Sequence, residues 1–385
     1  MVTVETQPRQ ADIYDWLRDW QPRSLSQSAL TLPSEFYSSA ELYRLEQQQI
    51  FGKYWYYVGH LSQLHGPGSY FTVDIAEQPL VIVQDKAGTL RGFFNICTHR
   101  AGPVALDSGQ CKRLTCLYHA WSFDLEGNLR GLPDMEAAEN FDRAEHALTP
   151  VKVETWGPFI FVNLDPESDP LAVQMGELPE MMQRYQLQTW HRAHSVDYWT
   201  DTNWKLYVEN NTESYHEPTV HPILAKYYRQ VTAEARYHYY LQYTPVLPDS
   251  GEVLSVYPEG TFQPGLNEKE MTGVSTVSFF PNFAWIIAPN CAIIYLIDPQ
   301  GPSRTRVRWD WLVPDQPAAK SAENLEPLIQ FYDDIQKEDL TLLPEIQKRV
   351  QSIGYRPGRL SPRREMGTHL FQELIVRALA AGVSP

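Results

Sequence analysis

The chain predicts an α+β protein in two parts: an antiparallel β domain, then a larger α+β domain with a central antiparallel sheet flanked by helices. Three observations carry this. Residues 54–165 hold short β-prone runs separated by turn signals. The polar string Asp165-Pro166-Glu167-Ser168-Asp169-Pro170 reads as a linker. Beyond it, four strand-like runs precede two long helical stretches near 322–352 and 363–381.

The elements follow in order. Residues 1–53 read as an arm and a helix packing on the second, larger part. Ser34-Glu35-Phe36 supplies capping residues, Glu41-Leu42-Tyr43-Arg44-Leu45-Glu46 has helical periodicity, and Phe51-Gly52 ends it. Within 54–165, Tyr70–Ile75 and Leu80–Val83 are strands, Asp85-Lys86-Ala87-Gly88 is a hairpin turn, and Phe159–Leu164 closes the series. In 166–385, strands are expected at 274–280, 283–288, 291–297 and 305–313. Pro289-Asn290 divides the most apolar region into two strands. In the last strand Val307, Trp309 and Trp311 alternate with Arg306, Arg308 and Asp310, as in a sheet with one wet face.

Composition narrows the function. With 385 residues the chain can build two full cores, and its 21% charged content is that of a globular protein. A net charge of −15 argues against nucleic-acid and anionic-membrane binding. The start Met1-Val2-Thr3-Val4-Glu5-Thr6-Gln7 has no leader pattern, no run suits a spanning helix, and few cysteines fit a reducing cytoplasmic compartment. Cys111 and Cys291 read as core or near-core residues.

Two strings carry chemistry: Cys97-Thr98-His99 and Cys116-Leu117-Tyr118-His119. A structural zinc site usually groups like ligands on each arm. One thiolate and one imidazole on each arm instead suits a [2Fe–2S] cluster with unlike irons, one held by the thiolates and the other by the imidazoles. A zinc knuckle or chance are the alternatives. The wider context, Phe94-Asn95-Ile96-Cys97-Thr98-His99-Arg100, then Cys116 to Phe123, then Glu126-Gly127-Asn128-Leu129, resembles the cluster domain of Rieske non-haem iron oxygenases. Ala120 stands where that family most often has Gly. Respiratory Rieske proteins add a disulfide beside the ligands; Gly102 and Tyr118 occupy those regions here, which favours the oxygenase type.

A second string runs from Asn203-Trp204-Lys205 through Glu209-Asn210-Asn211-Thr212-Glu213-Ser214-Tyr215-His216 to Glu217-Pro218-Thr219-Val220-His221-Pro222. Glu213 and His216 share a face if helical, and Pro218 is expected to end that helix so that His221 folds back beside His216. Two imidazoles and one carboxylate make a facial triad for Fe(II) with positions open to O₂. The spacing alone suits core or surface histidines better than iron ligands. The whole string, however, resembles the iron-binding segment of Rieske oxygenase α subunits. That resemblance implies His216 and His221 as iron ligands. It also implies Glu213 as the acid bridging the cluster of one subunit to the iron of its neighbour, with Asn210 as a further catalytic candidate. The third ligand it implies is Asp339, preferred over Glu338, Asp333 and Asp334, with Gln347 following. His191 and His194 lack an accompanying carboxylate motif and read as surface or strand-edge residues.

The resemblance implies a homotrimeric terminal oxygenase with O₂ and a small molecule as substrates. Electrons would come from NAD(P)H through a separate flavin/iron–sulfur reductase, since no dinucleotide fingerprint is present here. Glu213, where ring-hydroxylating dioxygenases usually carry Asp, and the Glu209-Asn210-Asn211 run look more like the glycine betaine, carnitine and choline monooxygenase branch. The favoured reaction is oxidation or N-demethylation of a quaternary ammonium compound. Aromatic-ring hydroxylation is the runner-up, and a Rieske electron-transfer protein is the non-enzyme alternative.

Overall fold

The computed structural model describes residues 13–26, 28–227, 232–246 and 260–383; the string Met1–Gln7 lies outside them. The chain forms two compact units, Phe51–Val173 and Met1–Ile50 together with Gln174–Pro385.

The smaller unit holds ten strands: β1 (Tyr56–His60), β2 (Ser69–Ile75), β3 (Gln78–Gln84), β4 (Leu90–Phe94), β5 (Ser108–Gln110), β6 (Leu114–Thr115), β7 (Ser122–Phe123), β8 (Leu129–Gly131), β9 (Pro150–Trp156) and β10 (Phe159–Asn163). Seven of them form one sheet in the order β1-β10-β9-β4-β3-β2-β5, and β6-β7-β8 form a second. Alternation explains β2: Phe71, Val73 and Ile75 face the core while Asp74 faces solvent. The Asp85 turn is held by its own carboxylate, which accepts from Ala87 N and Thr89 N and pairs with Arg91. Phe93, Leu114, Trp121, Phe123 and Leu129 pack beneath the two Cys–His loops, in one core with Cys97 and Cys116.

The larger unit is built on an antiparallel sheet of β11 (Trp190–Thr200), β12 (Thr232–Arg236), β13 (Tyr239–Pro245), β14 (Gly273–Phe279), β15 (Phe283–Ala288), β16 (Cys291–Pro299) and β17 (Thr305–Pro314), in the order β11-β17-β16-β15-β14-β13-β12. Every residue of β16 is buried, as its unbroken apolar run requires. The wet face expected for β17 is confined to its start. Arg306 and Arg308 are part-exposed, but Asp310 is buried and neutralised by Arg192 of the edge strand β11. His191 and His194 lie on that same edge, exposed.

Helix Ala322–Val350 runs through both Pro327 and Pro344. Its buried face is Leu328, Tyr332, Gln336, Asp339, Leu343, Gln347 and Val350, a stripe at steps of three and four. Asp333 on this helix accepts from Tyr198 Oη at 2.6 Å and pairs with Lys337. The C-terminal helix is Met366–Ala381. No helix among the described residues is long and apolar enough to cross a membrane.

Candidate metal centres and active-site pocket

The two Cys–His loops have matching backbones. Ala101 N donates to Cys97 O at 2.9 Å and Ala120 N to Cys116 O at 3.1 Å, closing equivalent turns. Both alanines sit in the left-handed region, at φ 57° and 58°. Glycine adopts that region freely and alanine pays roughly 1–2 kcal/mol. Ala120→Gly should therefore raise stability by up to about 1 kcal/mol, because glycine's looser unfolded state offsets part of the relief. A denaturant midpoint unchanged or lowered would contradict this reading of the turn.

Both thiols are buried and free of any disulfide. Tyr118 N donates to Cys116 Sγ at 3.4 Å. Burial and the neighbouring Cys116 raise the Cys97 thiol, while backbone N–H groups of His99 and Arg100 work against them. Those N–H groups stabilise a thiolate in particular, the form an iron requires. A Cβ on Gly102 would stand 2.8 Å from Cys116 Sγ, so this approach needs glycine. The His99 and His119 rings lie 4.7 Å apart, and His99 stacks on buried Trp121. His119 Nδ1 is buried without a hydrogen-bond partner. Burial, then the neighbouring His99 ring and Arg100 guanidinium, lowers the His119 pKa and favours the neutral ligand form. Trp121 lies against this site as a buried ring, whereas Tyr118 is 57% exposed.

The second string folds differently from its sequence expectation. The helix Trp204–Asn211 stops before Glu213, with Thr212 as its C-cap. Pro218 does not end a helix; it sits in the first turn of the short helix Glu217–Val220, where its missing N–H costs nothing. Glu213 and His216 still meet, but through a turn. Glu213 Oε2 accepts from the backbone N–H groups of Tyr215 and His216, and Glu213 Oε1 lies 2.5 Å from His216 Nδ1.

Helix Trp204–Asn211 is tethered on several sides. Asn203 caps it through Lys205 N, and its own N–H donates to Gln347 Oε1. Trp204 Nε1 and Lys205 Nζ both donate to the fully buried Glu46, at 2.8 and 2.5 Å. Tyr207 Oη donates to Gln336. Glu209 accepts from Tyr37 and Gln372, and burial pushes its carboxyl up to about 7 against those donors and Lys205. The segment entering the site is thus fixed by groups far apart in sequence.

His216, His221 and Asp339 converge, with one ligand atom from each within 4.8 Å of the others. His216 Nε2 and His221 Nε2 are 3.2 Å apart, and Asp339 Oδ1 is 3.7 and 3.2 Å from them. Asp339 Oδ1 is buried without a hydrogen-bond partner. On the far side of each ring, Glu213 holds His216 Nδ1 and Glu338 Oε2 holds His221 Nδ1 at 2.7 Å. With those Nδ1–H groups donating to carboxylates, the Nε2 lone pairs turn toward Asp339. Burial lowers both imidazole pKa values, but the facing carboxylates outweigh it and hold them above their usual value. Three donors aimed at one point, with an orphaned carboxylate oxygen, fit a divalent iron. Glu338, weighed as an alternative ligand, stands behind His221 instead. We expect Glu338→Gln to weaken iron retention by roughly 10–100-fold without moving the cluster spectrum, checked by chelator competition.

His216, His221 and Asp339 open on a pocket whose empty space, open solvent included, is about 800 Å³. Asn210, Glu213, His216, Glu217, His221 and Asp339 border it on one side, and Tyr207, Tyr295, Trp309 and Tyr332 bring aromatic surface. Glu217 was not anticipated from the sequence, although it directly follows His216. Burial pushes its carboxyl up to about 7.

Residues 187–381 match the ring hydroxylating alpha subunit (catalytic domain) family, and residues 54–143 match the Rieske [2Fe-2S] domain. The chain belongs to the ring-hydroxylating oxygenase α-subunit family. Its members are oxidoreductases that incorporate oxygen from O₂, and the cofactors are a Rieske cluster and a mononuclear iron, fed by a separate reductase. Among relatives of this α subunit, the glycine betaine monooxygenase oxygenase subunit of Chromohalobacter salexigens is 28% identical, over 88% of this chain and 83% of that one. The carnitine monooxygenase oxygenase subunit of Acinetobacter pittii is 28% identical, over 91% and 95%. The chloroplastic choline monooxygenase of Atriplex hortensis is 29% identical, over 94% and 81%. A solved quaternary ammonium Rieske monooxygenase, described with carnitine oxidation and inter-subunit electron transfer, superposes with a TM-score of 0.80 at 26% identity, covering 98% of this chain and 100% of that one. A naphthalene 1,2-dioxygenase shares the fold, with a TM-score of 0.76 at 16% identity over 94% and 95%.

Proposed function

We propose that this α subunit is the terminal oxygenase of a cytoplasmic, homotrimeric monooxygenase that oxidises or N-demethylates a quaternary ammonium compound. The observation that carries it is the aromatic-walled pocket opening directly on His216, His221 and Asp339. A quaternary nitrogen has no N–H to donate, so aromatic faces are its natural contacts, at roughly 0.5–2 kcal/mol each. Relatives named for glycine betaine, carnitine and choline support the same class.

In this reading His216, His221 and Asp339 hold iron, and Cys97, His99, Cys116 and His119 hold the cluster. When bound, iron at the first set would supply O₂ activation and the cluster would supply electrons. The residues have separate tasks. Glu213 fixes the His216 ring through Nδ1 and is itself pinned by two backbone N–H groups. That position suits a relay running from His119 of the partner subunit through Glu213 to His216. Glu338 orients His221 in the same manner. Asn210 lines the pocket next to the ligands and can hydrogen-bond a bound substrate. Buried Tyr207, Tyr295 and Trp309 keep water from the far wall.

The test is a reductase-coupled assay across quaternary amines and aromatics, scoring substrate-dependent NADH use with oxidised product or formaldehyde. Oxidation of a quaternary amine supports the proposal. Hydroxylated aromatic product with every quaternary amine untouched would overturn it.

A further inference from the structure

Glu217 is a carboxylate in the pocket that the metal cluster does not use. Its side chain is part-buried, and among the described residues it makes no hydrogen bond or ion pair, in contrast to its neighbours. Glu213 and Asp339 also border the pocket and face imidazoles at ion-pair distance, whereas the His216, His221 and Arg364 charges act on Glu217 only from beyond hydrogen-bond and ion-pair reach. No lysine or arginine lines the cavity among the described residues. Arg364 reaches Ser214 Oγ instead and is not part of the lining. The other polar lining groups include Asn210, Asn211, Gln242, Thr244 and Gln336, all uncharged.

A part-desolvated carboxylate without a partner is costly unless a cation meets it, and a second carboxylate brought into the same space would be unpaired as well. From this we infer that Glu217 is a specificity-determining residue that receives the cationic end of the substrate. The preferred substrate then carries net positive charge: a quaternary ammonium with a neutral tail such as a hydroxyl, in preference to a zwitterion bearing its own carboxylate. Asn210, Asn211 and Gln242 would meet a hydroxyl without needing a counter-charge. The inference rests on the proposed quaternary ammonium reading and narrows it.

The experiment is calorimetric titration of the holoenzyme with choline and with glycine betaine, paired with steady-state kinetics on both. Choline should bind at least about ten-fold more tightly, as expected for one charge-assisted contact. Glu217→Gln should weaken choline by about that factor, raising KM with kcat little changed, and bring the affinities of the two compounds closer together. Glu217→Asp should recover part of the loss. Iron content and the cluster spectrum should not change in either variant. Equal binding of the two compounds, an unaltered choline affinity in Glu217→Gln, or loss of iron from that variant would each overturn the inference. Turnover of zwitterions with choline ignored would do so while leaving the proposed function standing. Selective choline binding with no oxidation of any quaternary amine would do the reverse.

Discussion

His221→Ala is expected to lose one iron per chain and all coupled turnover while keeping the visible spectrum of the cluster. His221 is 2% exposed, and its Nε2 stands 3.2 Å from both His216 Nε2 and Asp339 Oδ1. Alanine would leave two donors, too few to hold Fe(II) against solvent and chelators in a site built for a facial set. It would also strand Glu338, now without its imidazole. Because Cys97, His99, Cys116 and His119 lie on separate loops of the smaller unit, their spectrum is the internal control for folding. Asp339→Ala should behave in the same way. A His221→Ala protein that retained three irons per chain would rule out this ligand set.

Glu213→Gln, assayed with iron in excess so that both metals stay bound, is expected to lower coupled turnover by on the order of 100-fold, the upper range for loss of a carboxylate behind a metal-bound histidine. Glutamine is close in size and can still accept from the Tyr215 and His216 N–H groups, so the turn should survive. What it removes is the negative charge beside His216 Nδ1, 2.5 Å away. The informative readout is the rate of cluster reoxidation in a single turnover. Slow reoxidation with normal substrate affinity supports the bridging role; near-normal reoxidation would contradict it.

The cluster strings were legible because each loop supplies two ligands within four residues or fewer, a local pattern that survives without knowledge of the fold. The antiparallel β unit and the two long helices were legible for the same reason, through alternation in β2 and the stripe from Leu328 to Val350. Asp339 was reachable from resemblance, and the physical signal was also present: it falls in phase with Tyr332, Gln336 and Leu343, whereas Glu338 does not. A polar residue in a buried stripe demands a partner.

The failures have physical causes too. β11 mixes exposed and buried positions because it is an edge strand, so its sequence never settles into a period of two. The helix holding Asn210 ends sooner than its composition implies. Thr212 caps it, and the Glu213 carboxylate offers the following N–H groups an alternative to helical carbonyls. Glu338 could be weighed only as a ligand, since which imidazole nitrogen it approaches depends on how two distant segments meet. The partners of Glu209, Tyr37 and Gln372, lie near opposite ends of the chain and no local pattern joins them.

The most direct test of the account is metal and sulfide stoichiometry on the purified, anaerobically handled protein. The predicted result is three irons and two acid-labile sulfides per chain, two irons in the cluster and one at His216, His221 and Asp339. Two irons per chain would leave only an electron carrier, and zinc in a colourless protein would contradict both metal centres.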